Sequence, residues 1–227
     1  MPKPSELAII FDLDGTLIDS SGGILSSLAH AFAANGVTPL SVLGQSVIGP
    51  ALPDMIRSVT HLRDVNSINC VIDSFVAHYD NDGLCSARPY PGIEAMLKQL
   101  ASAGFELYVA TNKRCKPTQR IVHMLRWSHF FSGVYSLDSV ASSFGGKADL
   151  INYVTKTHGL SNPIYVGDRD EDTVAAMQAS VAFAGVGWGY GAQQLRPPHK
   201  EPTQAKTLVT QWFQTPKALG TWLGQLA

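Results

Sequence analysis

Cysteine is scarce in this sequence and follows no pattern. The chain of 227 residues holds three: Cys70, Cys85 and Cys115. An odd number without metal-type spacing excludes a disulfide framework or a zinc site as the organising element. Excess charge of one sign is also missing. Seventeen Lys and Arg face eighteen Asp and Glu, for a formal net charge of −1. That excludes a broad electrostatic footprint for nucleic acid, so an anionic ligand would need a locally positive site. No apolar run approaches the roughly 18 residues of a membrane span, and Met1–Glu6 lacks the apolar heart of a signal peptide. The seven histidines form no HExxH or paired metal spacing and are assigned no chemistry. Internal repeats and low-complexity tracts are absent. The expectation is a cytoplasmic protein with neither a nucleic-acid nor a membrane partner. Its length allows one large domain or two small ones around a substantial core.

What is present begins at Leu7-Ala8-Ile9-Ile10-Phe11. A short continuous apolar run bounded by turn residues reads as a buried strand of a parallel sheet. It runs into Asp12-Leu13-Asp14-Gly15-Thr16. Unpaired buried charge is expensive, so two carboxylates at the end of a buried strand need a reason. In open α/β sheets ligands bind beyond the carboxyl ends of the strands. Side chains two apart on a strand share a face, so Asp12 and Asp14 can address one centre. Gly15 permits a sharp turn.

The next convincing strand is Phe105–Ala110, too far away for a single crossover helix. Three helical stripes lie between. They are Ile24, Leu25, Leu28 and Phe32, with Ser20 or Ser21 as cap; Leu52, Met55, Ile56 and Val59; and Ile68 through Tyr79. Residues 18–87 therefore read as an inserted helical domain, with residues 1–17 and 88–227 forming the core. Arg88-Pro89-Tyr90-Pro91-Gly92 marks the return, and Ile93, Met96, Leu97 and Leu100 face inward from the helix that follows. Beyond it, strands and helices alternate. A helix after Pro117 carries Ile121, Met124 and Leu125, and Gly133–Ser136 is a strand. Helix Lys147–His158 has Leu150, Ile151 and Val154 inward, and strand Pro163–Gly167 follows. Helix Thr173–Ala179, strand Val181–Val186, strand Thr207–Thr210 and helix Lys217–Leu226 complete the chain. Pro197–Pro202 reads as a surface loop. Such alternation predicts a doubly wound, Rossmann-like parallel α/β sheet.

Several of these strands end in polar groups: Asp12 and Asp14, then Thr111-Asn112-Lys113, then Asp168-Arg169-Asp170-Glu171-Asp172, with Lys147 at a helix start. The run Asp12-Leu13-Asp14-Gly15-Thr16-Leu17-Ile18-Asp19 after an apolar strand resembles the first motif of the phosphatase branch of the haloacid dehalogenase superfamily. The other clusters resemble its remaining motifs, in order and across the whole core. The family often has Lys-Pro at the third motif. Gly145-Gly146-Lys147-Ala148-Asp149 resembles instead the version in which lysine leads a helix.

The resemblance implies a Mg²⁺-dependent phosphatase acting through an aspartyl-phosphate. Asp12 would be the nucleophile, since a carboxylate attacking phosphorus splits one hard step into two. Asp14 would protonate the leaving alcohol and then activate water. Mg²⁺, which favours oxygen ligands, would bind the Asp12 carboxylate, the Asp14 carbonyl and Asp168. Asp172 would brace these ligands, although Asp170 and Glu171 leave the assignment within that cluster open. Lys147 would neutralise the transferring group, and Thr111 with nearby backbone N–H groups would hold its oxygens. Asn112 and Lys113 would bind substrate, Lys113 at the entrance. Residues 18–87 would form a cap, with Ile48–Pro53 resembling the cap loop of phosphoglycolate-phosphatase-like members. Arg57, His61 and Arg63 are candidates to reach a substrate anion.

The expected partner is a small phosphorylated metabolite, phosphoglycolate-like or a nucleoside monophosphate, bound by a monomer or homodimer. The alternatives are a phosphomutase and a non-catalytic, phosphorylatable Mg²⁺-binding module. Gly187-Trp188-Gly189-Tyr190-Gly191-Ala192 fits G-x-G-x-x-A, but no ribose-binding acid follows in a βαβ unit. It reads as a loop without chemistry.

Overall fold

The computed structural model describes residues 8–139, 144–191 and 210–226. The sheet has six parallel strands: β1 (Ala8–Phe11), β4 (Glu106–Thr111), β5 (Gly133–Ser136), β6 (Ile164–Gly167), β7 (Ala182–Val186) and β8 (Thr210–Phe213). Their order across the sheet is β5-β4-β1-β6-β7-β8. β1 therefore lies between β4 and β6, with Phe11 opposite both Val109 and Val166. Alternate side chains divide between the two faces. Ile9, Phe11, Val109, Val166 and Val186 join one apolar cluster, while Ile10, Tyr108, Tyr165 and Phe183 join the other. Helices α4 (Ile93–Ser102), α5 (Cys115–Met124) and α8 (Pro216–Gly224) cover the first face. Helices α6 (Lys147–Thr157) and α7 (Asp170–Gln178) cover the second. Burial on both faces is why these strands read as continuous apolar runs.

Between β1 and α4 lie α1 (Ser21–Ala34), α2 (Leu52–Val59) and α3 (Val65–Asn81). α1 and α2 both pack on α3. The chain leaves the sheet through β2 (Ile18–Asp19) and returns through β3 (Arg88–Pro89), which pair antiparallel. This two-residue ribbon is too short for any sequence pattern and was not anticipated. It brings the two ends of the helical segment together beside the end of β1.

Several boundaries differ from the sequence reading. α7 starts at Asp170 rather than Thr173, so three acids occupy its first turn, where the helix dipole favours them. α5 starts at Cys115, with Pro117 in its first turn, where proline is tolerated. Met124 at the end of that helix is 40% exposed rather than inward-facing. Ser20 precedes α1 but its side chain makes no capping bond. The edge strand runs Thr210–Phe213, while residues 207–209 and the Pro197–Pro202 segment lie outside the described residues. Among the described residues, no helix is long and apolar enough to cross a membrane.

Candidate active site

β1 ends at Phe11, and the Asp12 N–H donates to the Val166 carbonyl (2.8 Å), which keeps Asp12 in register with β6. The chain then turns. Leu17 and Ile18 N–H groups both donate to the Leu13 carbonyl, and Gly15 N–H donates to that of Ile18. Gly15 has φ +87°, and a Cβ there would lie 2.5 Å from a carboxylate oxygen of Asp168. Only glycine meets both conditions. This turn sets the end of β1 against the end of β6.

Carboxylate oxygens of Asp12, Asp168 and Asp172 lie within 4.8 Å of one another, and all three residues are buried. Lys147, the first residue of α6, points its Nζ at this group, 2.5 Å from Asp172 Oδ1 and 3.3 Å from Asp12 Oδ2. The other Asp172 oxygen accepts the N–H groups of Asp168 and Arg169, both at 3.1 Å. Asp172 is thus saturated by neighbours and suited to bracing. Asp168 accepts Thr16 Oγ1 (3.3 Å) and Gly191 N–H (3.1 Å). Among the described residues, Asp12 Oδ1 is buried without a hydrogen-bond partner. A buried orphan carboxylate oxygen is costly unless something binds it. An all-carboxylate set with one free oxygen fits a hard divalent cation of the Mg²⁺ kind. Asp170 and Glu171 stand apart from the cluster. Both are exposed, and Glu171 pairs with Arg169.

The electrostatics follow from burial. Desolvation pushes Asp12 up to about 7, against the opposing pull of Lys147, and Asp172 and Asp168 add to the rise. Asp168 is pushed up to about 6, by burial first and then by Asp172. Burial alone would lower the Lys147 ammonium, but Asp12 and Asp172 outweigh it and raise it. The metal-free cluster thus carries more negative charge than one lysine settles.

Asp14 turns to a different partner. Lys113 Nζ donates to both its oxygens (3.0 and 3.1 Å) and to Tyr79 Oη of α3 (2.7 Å). Both members of this ion pair are nearly buried, at 6% and 11% side-chain exposure. Burial would lower Lys113, but Asp14 and Tyr79 prevail and push it up to about 12. The Ser20 hydroxyl, free of capping duty, also donates to Asp14 Oδ1. Lys113, expected at a substrate entrance, lines the cavity and holds Asp14 with its ammonium.

Asp12, Asp14, Thr111, Asn112 and Lys113 all line one cavity of about 70 Å³. Its opposite wall comes from the helical segment, including Ile24, Gly49, Pro50, Met55 and Phe75. Asn112 Nδ2 donates across it to the Gly49 carbonyl (2.9 Å). Arg57, His61 and Arg63, expected as candidate anion contacts, do not line it. Arg57 pairs with Asp54 on its own helix turn, Arg63 bonds the carbonyls of Arg57, Thr60 and Leu62, and His61 is exposed.

Two contributors escaped the sequence reading. Arg169 is buried and reaches from the Asp168 loop to the Ile48 (2.6 Å) and Ser46 (3.2 Å) carbonyls, tying the helical segment to the sheet edge. The glycine-rich run after β7 also serves the site. Besides Gly191, Trp188 Nε1 donates to the Thr16 carbonyl (2.9 Å), and Tyr190 Oη accepts Ser20 N–H (2.7 Å) and donates to Asp19 (3.1 Å). A Cβ on Gly189 would collide with the Gly15 carbonyl and with Asp168. Three glycines alternating just beyond a strand end are a sign of close backbone approach. That was the signal available in the sequence.

Comparison with known proteins gives the family. A phosphoglycolate phosphatase from Agrobacterium fabrum is 31% identical over 194 residues, 83% of either chain. A solved haloacid dehalogenase-like hydrolase from Streptococcus pneumoniae superposes with a TM-score of 0.78 at 25% identity, covering 96% of this chain and 98% of that one. Protein tyrosine kinase A of Mycobacterium tuberculosis superposes with a TM-score of 0.77 at 30% identity, covering 97% and 98%. Residues 9–186 match the profile of one family throughout. The chain belongs to the haloacid dehalogenase-like hydrolases.

Proposed function

We propose that the chain is a Mg²⁺-dependent phosphatase that hydrolyses a small phosphomonoester through a phosphoryl group carried on Asp12. The observation that carries this reading is the buried Asp12 carboxylate. One oxygen faces Lys147, the other has no partner among the described residues, and the residue lines the cavity.

In the first half-reaction Asp12 attacks phosphorus. The ester P–O bond breaks, and Asp14, carrying a proton, gives it to the departing alkoxide. In the second, the Asp14 carboxylate takes a proton from water as that water attacks phosphorus. The Asp12–phosphorus bond then breaks and inorganic phosphate leaves. Lys113 holds both Asp14 oxygens, so one of those contacts opens when Asp14 carries the proton of the first half. Lys147 offsets charge on Asp12 and on the transferring group, and Asp172 fixes its direction. Such preaimed charge is often the largest catalytic term. Asp12, the Asp14 carbonyl and Asp168 would hold Mg²⁺, which when bound supplies positive charge to the phosphoryl oxygens.

Thr111 and Asn112, which line the same cavity, would hold phosphoryl oxygens. Residues 18–87 would act as the cap that excludes water, with residues 1–17 and 88–227 as the catalytic core. The name of the Agrobacterium relative makes 2-phosphoglycolate the first compound to try, with nucleoside monophosphates second. The test is hydrolysis of p-nitrophenyl phosphate with Mg²⁺. Activity should vanish with EDTA and return with added Mg²⁺. Metal-independent turnover would overturn the metal assignment, and no turnover would overturn the phosphatase reading.

A further inference from the structure

We infer that Arg169 is a positioning residue: its guanidinium holds the Ile48–Pro50 wall over the cavity, and so governs the grip on the leaving group, without serving the phosphoryl centre. This rests on the phosphatase reading above and gives a part in it to a side chain that does not itself line the cavity.

The loop that carries this wall has little of its own to hold it. It follows residues 35–47, none of which is buried. One short turn, Gln45–Val47, shapes it, and Gln45 Nε2 donates to Ser21 Oγ (3.0 Å) at the start of α1. The sheet edge supplies firmer holds. Arg169 Nη1 donates to the Ile48 carbonyl (2.6 Å) and Nη2 to that of Ser46 (3.2 Å), while Asn112 Nδ2 donates to that of Gly49 (2.9 Å). The Arg169 side chain lies directly against the loop: a Cβ on Gly49 would meet its Cδ at 2.6 Å and its Nε at 2.7 Å. Ile48 is 1% exposed, joins the larger apolar cluster and lines the cavity together with Gly49 and Pro50.

A buried guanidinium needs acceptors, because its desolvation is costly otherwise. Arg169 is buried, and its Nε finds Glu171 (3.1 Å). The two remaining nitrogens find only carbonyls of the cap loop. A planar fork can take two such carbonyls at once, whereas an ammonium is a point donor. The main chain of the same residue has a separate duty. Arg169 N–H donates to Asp172 Oδ2, a bond that side-chain replacement leaves in place. Arg169 therefore has its backbone in the acid cluster and its side chain in the cap loop, which fixes the wall relative to Asp12.

Hydrogen bonds from a charged donor are stronger than neutral ones. Losing two of them lets the loop leave the cavity. Apparent affinity then falls in proportion to the fraction of molecules whose wall is still in place, so a fraction cut to about a tenth weakens binding about tenfold. That loss applies to ligands that touch the wall. A ligand confined to the phosphoryl centre, beside Asp12, Lys147 and Thr111, has no stake in it.

The experiment is titration calorimetry of the whole chain with Mg²⁺, using two probes. Inorganic phosphate has no leaving group, and phenylphosphonate places a ring against the apolar wall. Arg169→Met should keep the phosphate Kd within about twofold and weaken phenylphosphonate about tenfold, with KM for p-nitrophenyl phosphate rising alongside the second. Arg169→Lys keeps the charge beside Asp168 and loses the fork, so it should follow Arg169→Met. The ratio of the two Kd values is read within one protein, so a partly unfolded variant still reports. A ratio in Arg169→Met within about threefold of wild type, or a wild-type ratio in Arg169→Lys, overturns the proposal. Hydrolysis of p-nitrophenyl phosphate by the wild type would leave the phosphatase reading intact in that case. A wild type that binds neither probe and hydrolyses no ester overturns both.

Discussion

Replacing Lys147 with methionine removes one charge and keeps most of the side-chain volume. Its consequences can be worked from the geometry. The ammonium is 9% exposed and lies 2.5 Å from Asp172 and 3.3 Å from Asp12. Without it, Asp12, Asp168 and Asp172 face one another in a buried space. Removing one partner from a buried ion pair costs about 3–5 kcal/mol, because the remaining charge is left uncompensated. For a chain of this size each kcal/mol moves Tm by roughly 2–4 °C, so a fall of about 6–20 °C is expected in metal-free protein. The loss should be larger near pH 8 than near pH 5, since protonation relieves the crowded carboxylates at the lower pH. Turnover should fall by about 10²–10³, the usual cost of one preaimed donor. Circular dichroism melts at both pH values, with kcat for p-nitrophenyl phosphate, measure all of this. A Tm within about 3 °C of wild type near pH 8, together with kcat within about tenfold, would refute the reasoning.

Other outcomes follow from neighbouring contacts. In metal-free protein, Asp12 and Asp168 are raised from 3.8 to about 7 and about 6 by burial. The folded state then binds more protons than the unfolded one, so stability falls as pH rises through this window. Chemical denaturation from pH 4 to 8 with EDTA should show that decline, and saturating Mg²⁺ should flatten it; an EDTA curve that rises with pH would contradict it. Tyr190→Phe removes the hydroxyl that accepts Ser20 N–H, and Ser20 in turn directs Asp14. Losing that bond should slow single-turnover release of the alcohol from alkyl phosphates by about tenfold, yet barely change release of dinitrophenol from 2,4-dinitrophenyl phosphate, whose leaving group needs no proton. Equal losses in this first step would rule out a role through proton donation by Asp14. Gly189→Ala forces a methyl group against Asp168 and should weaken Mg²⁺ activation well before it affects folding, read as a raised Mg²⁺ half-saturation.

The sheet was legible because its strands are buried on both faces. Ile9-Ile10-Phe11 and Tyr165-Val166 leave no polar option, and the helices between them carry clear apolar stripes. The acids were legible because a buried strand does not end in carboxylates without a use for them. What was not legible depended on contacts between residues distant in sequence. Lys113 reads from the sequence as a substrate contact, and its hold on Asp14 and on Tyr79 of α3 has no local signal. Arg169, inside an acidic run, gives no hint that it spans to Ile48. The Gly187–Gly191 run matched a dinucleotide pattern, and dismissing that pattern hid its service to Asp168, Thr16 and Ser20. Arg57 and Arg63 run the other way. Their positive charge suggested substrate contact, but local acceptors satisfy it.

The central claim is that Asp12 carries the phosphoryl group. Turnover quenched in acid and treated with borohydride, followed by peptide mass spectrometry, tests it most directly, because borohydride reduces an acyl phosphate at Asp12 to homoserine. Homoserine at position 12, dependent on substrate and on Mg²⁺, is the expected result. A phosphoryl group trapped at another residue, or steady turnover with position 12 never modified, would contradict the account.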